Sequence, residues 1–518
     1  MSKFLKLLKS PLVWLDERIL EFLSLALLII LPLSPKIPIA EVLPGYLVRL
    51  RPDDLLVAIA FLVWIVWLAR GKVTLKGNPL LVPILAYLAV GFISSLAAIF
   101  ITKTVPVDKL QIEKLFLHWA RRIEYFSVFF IFFSSIKSLD QIKKYVYTAS
   151  IVLLLVSLYG FGQKYLYWPA YSTMNREFSK GIKLYLSEHA RVLSTFGGHY
   201  DLAAYLVVVL TLFISVGTVV KKFTHKLLFF TVSAAGFWLM ILTVSRTSFI
   251  AYIFSMTVVF IFLAFKKSWP WALPRWFIVM FVSIFIMLSF GELSERFAHI
   301  LKIDNVKTIA TKPVKDAPKG EQVAYLERVT SKSDIPPSTE KPKPADVYID
   351  VPEYGNENVS ATAIAKPRVY SQKALQYDLS TSIRLDYTWP KAIEGFSKNP
   401  LLGSGYATLT KEHIQDFTYA ESTDNDFLRS LGETGLLGFL TFFGTLAFIC
   451  YYAISNFPKI KDNFYAAVVA SLCAGTLGLL VNAIYIDVFE ASKVAYTYWA
   501  MAAILVATIQ LSTKGEKS

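Results

Sequence analysis

Four charged side chains stand out: Arg191 and Asp424 ahead of long apolar runs, Arg246 in a tight turn between two of them, and Arg384 in the long loop between the ninth and tenth runs. Arginine grips phosphate through a two-pronged fork and keeps its charge at any physiological pH. Several guanidiniums gathered with one carboxylate therefore suit a diphosphate-bearing anionic substrate, with the carboxylate as a general base towards a sugar hydroxyl. Arg246 is the sharpest of these, standing between Thr243-Val244-Ser245 and Thr247-Ser248. Asp424 lies in Glu421-Ser422-Thr423-Asp424-Asn425-Asp426, ahead of Phe427-Leu428 and the glycine-marked Gly432-Glu433-Thr434-Gly435.

Each feature also has a plainer reading. An arginine at a membrane surface snorkels to lipid head groups or pairs with a nearby acid. Ser422, Thr423 or Asp424 caps a following helix. The acids at 421, 424 and 426 could hold a divalent cation, though without the glycine-punctuated loop of a calcium site. His189, His199 and His413 are further candidate bases, as is Glu421, and a single histidine is more often an ordinary interfacial one. No GxxxxGK[ST] phosphate loop occurs, and Gly403-Ser404-Gly405 lacks the third glycine of a dinucleotide fingerprint. An ATP-driven mechanism is thus disfavoured, and a donor would have to bring its own activation.

The elements that position these residues follow from composition. The 518 residues are 55% apolar and only 18% charged, with a mean hydropathy of +0.50, whereas soluble domains carry about 25% charge. This is the composition of an integral membrane protein. Only 6 His and 2 Cys are present, with Cys450 and Cys473 both inside apolar stretches, which disfavours a metal or disulfide scaffold. The net charge of +15 comes in short Lys and Arg clusters between apolar runs, the pattern of basic loops facing cytoplasm and anionic lipid, and nucleic acid is not an expected partner.

A membrane-crossing helix needs about 20 mostly apolar residues, and about twelve runs qualify: 19–33, 54–68, 79–101, 123–136, 145–162, 201–220, 227–243, 247–265, 276–290, 435–455, 464–486 and 494–511. The fold expected is an all-α polytopic membrane protein. Continuous apolar runs exclude a β-barrel. No small-residue cleavage site follows the first run, so it reads as a retained helix. Basic residues accumulate in the loops facing the cytoplasm, which places both termini inside. Lys103, Lys109, Lys114, Arg121 and Arg122 break the pattern from the outer side, and an amphipathic helix at the interface is the expected reason.

Residues 1–290 then form a membrane domain of nine helices, 291–434 one large extracytoplasmic loop, and 435–518 the last three helices. The loop carries a polar insert at about 304–368 containing Pro336-Pro337 and Lys341-Pro342-Lys343-Pro344, a composition that builds no packed core. From about Tyr377 aromatics and glycines return, and this half is expected to fold against the membrane domain. Arg191, Arg246, Arg384 and Asp424 all fall at the outer face.

The chain resembles the O-antigen ligase and polymerase superfamily of polytopic glycosyltransferases. Arg191-Val192-Leu193-Ser194-Thr195-Phe196 with Leu202-Ala203-Ala204-Tyr205-Leu206, and Thr243-Val244-Ser245-Arg246, are similar to its T-x-S-R and arginine-led helix ends. Arg384, Trp389 and Pro400-Leu401-Leu402-Gly403-Ser404-Gly405 resemble the R, W and P-L-x-G-x-G series of its outer loop. Asp424-Asn425-Asp426-Phe427-Leu428, then Leu431-Gly432-Glu433-Thr434-Gly435-Leu436-Leu437-Gly438, resemble its H-N-x-x-L and E-x-G-x-x-G pattern.

The resemblance implies transfer of a glycan from an undecaprenyl diphosphate carrier to an acceptor hydroxyl, at the outer face of the cytoplasmic membrane, by inverting displacement without metal or cofactor. Arg191, Arg246 and Arg384 would bind the diphosphate and stabilise it as leaving group. Asp424 stands where ligases of the family place a histidine. That departure keeps a repeat-unit polymerase open beside a ligase. A secondary transporter of an anionic or lipid-linked glycan is the alternative from another class, disfavoured because charges cluster at the outer mouth rather than near span centres.

Overall fold

The structure is a computed structural model and describes residues 2–44, 46, 48–174, 178–187, 190–290, 383–418 and 422–514, with side chains from residue 16 to 513. Glu421, His189 and the insert at 304–368 lie outside the described residues. In hydrocarbon every backbone polar group must be satisfied within the segment, so long apolar runs become helices.

Among the described residues thirteen α-helices form: α1 Ser2–Leu33, α2 Pro52–Ala69, α3 Leu81–Phe100, α4 Lys109–Ser135, α5 Leu139–Tyr165, α6 His199–Val219, α7 Phe223–Thr243, α8 Arg246–Lys266, α9 Trp269–Ser289, α10 Trp389–Lys398, α11 Asp426–Asn456, α12 Asn463–Asn482 and α13 Ser492–Lys514. Each of the twelve apolar runs falls on one of them. Ten, all but α1, α4 and α10, are long and apolar enough to cross a membrane. The sole sheet among the described residues pairs β1, Ala40–Glu41, with β2, Arg49–Leu50, antiparallel, with Ala40 opposite Leu50.

The enclosed helices are α6, α12 and α13, while α9 is the most exposed span. On α9, Phe277, Phe281 and Phe285 recur every four residues and are 63%, 60% and 55% exposed, a stripe suited to lipid. α12 packs against α6 and α8, and α13 against α4. Hydroxyls inside the spans donate back one turn, as Ser157 Oγ does to Leu153 O at 2.8 Å, so they cost little in an apolar bundle.

Contacts fix which helix ends lie together: Lys493 at the start of α13 meets Pro32 at the end of α1 and Thr195 ahead of α6, and Asp426 at the start of α11 meets Ala483 just past α12. The C-terminal ends of α1, α3, α5, α7, α9 and α12 therefore share one end of the bundle with the N-terminal ends of α2, α4, α6, α8, α11 and α13. Among the described residues, Arg191, His199, Arg246, Arg384, His413 and Asp424 belong to that end.

Two expectations change. The basic stretch 102–122 is not a separate interfacial helix, because α4 runs unbroken from Lys109 through the fourth apolar run. Its inward basic groups find protein partners instead of head groups: buried Lys114 Nζ donates to Thr418 O at 3.1 Å and Thr418 Oγ1 at 2.9 Å. The tenth helix of the sequence reading begins at 426 rather than 435, and the glycine-marked Gly432–Gly435 is a kink within α11, not its start.

Gly435 has φ 67° and ψ −167°, a region open essentially to glycine alone. A Cβ there would lie 2.4 Å from Leu401 C. Gly403 is its counterpart, with φ 71° and a built Cβ 2.4 Å from Glu433 C. Both glycines allow the 400–405 strand of loop to lie backbone to backbone on the kink. Ser404 N and Gly405 N donate to Gly432 O and Glu433 O at 2.8 Å, and Leu436 N to Pro400 O at 2.8 Å.

Candidate active site

The Asp424 carboxylate is joined to Arg384, whose Nη2 lies 3.1 Å from Oδ2. Arg384 opens a π-helical turn, Arg384–Thr388, that leads directly into α10. Its guanidinium is buried and sits 5.7 Å from the centre of the Tyr485 ring. Ser422 Oγ donates to Asp424 Oδ1 at 2.8 Å.

Asp424 does not cap α11. That role belongs to Asn425, whose side chain accepts from Leu428 N at 2.9 Å and donates to Ile484 O at 3.0 Å. The Asp424 side chain is 35% exposed and free to face a substrate. Desolvation by its surroundings holds its pKa above the ordinary carboxylate value. Arg384 opposes that shift, and the Asp487 carboxylate adds to it. Asn425→Ala should cost about 1 kcal/mol of stability through the lost cap, read as a lower unfolding midpoint in detergent with Asp424 chemistry retained.

Arg191 and His199 form a second group. Arg191 Nη1 lies 2.7 Å from His199 Nε2 and donates to Tyr200 Oη at 3.3 Å. His199 is the first residue of α6 and is buried. Val192 N donates to Leu242 O at 3.1 Å, which lays the Arg191 segment against the turn that leads to Arg246.

That turn is tight because Val244 takes φ 56° and ψ 29°, a left-handed conformation costly for a β-branched residue. It reverses the chain so that Arg246 is the first residue of α8, behind the capping Ser245. Arg246 and His199 thus each stand at a helix N-terminus, where outward N–H groups and the helix dipole favour an anion. Ser194 at φ 51° and Asp424 at φ 52° are also left-handed. Three segments singled out in the sequence each carry a strained residue, and such strain collects at functional sites.

The structure brings Arg384 to Asp424 and Arg191 to His199, and it lays the backbone of the Arg191 segment against the end of α7 that precedes Arg246. His413 is not part of either. It lies on an exposed turn, its N–H bonded to Asp416 Oδ2 at 2.7 Å, and the following residues lean on Gln111 of α4.

Sequence reading missed the ionic layer beneath Asp424. Arg429 Nη1 pairs with Asp487 at 2.9 Å, its Nε lies 3.4 Å from Glu433, and Arg122 pairs with Glu490 and sits 3.7 Å from Glu433. Arg122, Arg429, Glu433, Glu490, Tyr87 and Tyr406 line a small cavity of about 30 Å³, room for a water molecule. The spacing of Arg429 and Glu433, one helical turn apart beside an apolar run, was the available signal.

Residues 231–443 match the family model described as O-antigen ligase. Over that stretch the chain is similar to the O-antigen ligase family, which supports the O-antigen ligase and polymerase superfamily. The matched residues run from α7 into α11 and contain Arg246, Arg384 and Asp424, while Arg191 and Asp487 lie outside them. No curated protein matches the chain. That match supports a membrane glycosyltransferase of the O-antigen ligase or polymerase type.

Proposed function

We infer that the donor is an undecaprenyl diphosphate-linked glycan and that transfer takes place at the extracytoplasmic face of the cytoplasmic membrane. The observation that carries this reading is the Asp424 carboxylate, uncommitted to capping and held against the Arg384 guanidinium, at the bundle end that also bears Arg191 and Arg246. The acceptor hydroxyl attacks the anomeric carbon and passes its proton to Asp424, while the bond from that carbon to the diphosphate oxygen breaks. Guanidiniums from Arg191, Arg246 and Arg384 stabilise the charge on the departing diphosphate without a metal ion. Displacement from the opposite face inverts the anomeric centre.

The Arg384 pair adds a coupling. A diphosphate that draws the guanidinium towards itself withdraws the positive charge that lowers the Asp424 pKa, so a loaded donor leaves a stronger base. Ligase and polymerase share this chemistry and differ in the acceptor, a lipid-anchored core in one and a growing chain in the other.

The test is release of the lipid carrier by purified protein given a lipid-diphosphate glycan and an acceptor. Movement of the intact lipid-linked glycan across a proteoliposome membrane without carrier release would instead indicate a transporter. Arg246→Lys keeps the charge but loses the planar fork. It should cost about 10- to 100-fold in kcat/KM, the worth of one charge-assisted hydrogen bond, and full activity would reduce Arg246 to a lipid anchor.

A further inference from the structure

The connector from α12 to α13, residues 483–491, touches the Asp424 half of the site, and the first turn of α13 touches the Arg191 half. The Asp487 side chain is 9% exposed and receives three donors, Thr423 N at 3.0 Å, Asn425 N at 2.8 Å and Arg429 Nη1 at 2.9 Å. The Ser422 hydroxyl, shared between the Asp424 and Asp487 carboxylates, lies 3.1 Å from Asp487 Oδ2. Two amides bound from either side of one residue fix the conformation of the residue between them. Here that residue is Asp424, held at φ 52°, the turn that brings its carboxylate to Arg384. The same connector accepts Asp426 N at Ala483 O, 2.9 Å, and supplies the Tyr485 ring beneath Arg384.

Just past the connector, Lys493 is 2% exposed and its ammonium is held by three backbone carbonyls: Pro32 O at 3.0 Å, Ser34 O at 2.5 Å and Thr195 O at 2.7 Å. Thr195 Oγ1 also donates to Pro32 O at 2.5 Å. Thr195 follows the strained Ser194 in the segment that carries Arg191. The ammonium also sits 4.9 Å from the centre of the Phe196 ring. A buried ammonium is costly unless its partners are held in place, so this contact fixes where the Arg191 turn sits against the ends of α1 and α13.

We propose that the segment 483–493 sets the spacing between the base and the diphosphate-binding arginines, with Asp487 and Lys493 as positioning residues for transfer. This rests on the glycosyl-transfer reading above. The two arms should fail differently. Loosening the Asp487 arm misplaces the proton acceptor, whereas loosening the Lys493 arm misplaces a donor contact. Asp424 is faced by Arg384 from the π-helical turn, by Arg429 from α11, by Ser422 from its own loop and by Asp487 from the connector. Removing the Asp487 charge therefore also lets the Asp424 pKa fall.

The experiment uses full-length protein in lipid nanodiscs, with a lipid-diphosphate glycan as probe, and measures kcat and KM against pH together with hydrogen exchange of residues 422–428. Asp487→Asn should lower kcat about 10- to 100-fold, as ångström-scale misplacement does, with donor KM little changed. The acid limb of kcat should move to lower pH, and exchange at 422–428 should quicken. Lys493→Met should raise donor KM while kcat holds, the signature of lost ground-state binding.

Ser422→Ala, at an exposed position, should shift kcat and exchange in the same direction as Asp487→Asn by a smaller factor, and it serves should the buried variants not fold. An unmoved acid limb and kcat in Asp487→Asn overturn the proposal, as does a joint loss of kcat and rise in KM of the same pattern in both arms. If the unaltered protein releases no carrier, the glycosyl-transfer reading fails. Unchanged exchange at 422–428 in Asp487→Asn would independently remove the positioning role.

Discussion

Asp424→Asn should lose about 100- to 10,000-fold of the transfer rate, the range for removal of a positioned general base, while the protein folds and inserts normally. Several structural facts make the substitution clean. Asn425 and not Asp424 caps α11, so no cap is lost. Asparagine tolerates the left-handed backbone at φ 52° at least as well as aspartate. Its side-chain oxygen still accepts from Ser422 Oγ, which donates to Asp424 Oδ1 at 2.8 Å.

The pH profile supplies a second readout. The Asp424 pKa is held above the ordinary carboxylate value by burial, and the base works only when ionised. Activity should accordingly rise with pH through that raised pKa, and the limb should vanish in the Asn variant. Asp424→His should retain measurable activity, because imidazole accepts the same proton near neutral pH. Carrier release by Asp424→Asn equal to that of the unaltered protein at matched membrane levels would move the search for a base to His199, which lies 2.7 Å from Arg191.

Arg384→Ala should cost about 100- to 1,000-fold in kcat, comparable to removing one preorganised donor from a developing anion. The guanidinium is buried against Tyr485 and bonded to Asp424, so its loss strips the diphosphate of a donor and Asp424 of its counter-charge together. The second effect has a definite sign. Arg384 lowers the Asp424 pKa, so without it the acid limb of kcat should move to higher pH, opposite to the shift expected for Asp487→Asn. Arg384→Lys should restore the limb, since charge suffices for that, but recover little of the rate, since a point charge cannot fork a diphosphate. An unmoved limb in Arg384→Ala would show that the 3.1 Å pair does not govern the base.

The helices were legible because hydrocarbon leaves no choice. An apolar run long enough to cross a bilayer must be helical, and the twelve runs fall on helices wherever their exact ends lie. The kinked start of α11 was not legible, because Gly432 and Gly435 read locally as a turn. Only the loop 400–405, folded back on them, supplies the backbone partners that let the helix continue through the kink. The basic stretch in α4 was misread for a similar reason. Its periodicity shows an amphipathic face, but what covers that face is Thr418 and Glu490, more than 300 residues away in the chain.

Arg191, Arg246, Arg384 and Asp424 were proposed from sequence alone, three of them because a charge beside an apolar run costs free energy. Which of them meet was decided by the tertiary structure. Nothing local distinguishes Asp424 from Asn425 as a helix cap, nor marks Asp487 or Lys493, which look like ordinary residues of a short outer turn. Their partners come from three separate parts of the chain, 32–34, 195 and 422–429, and a hydrogen-bond network closed over such separations is specified by packing, which one-dimensional spacing does not encode.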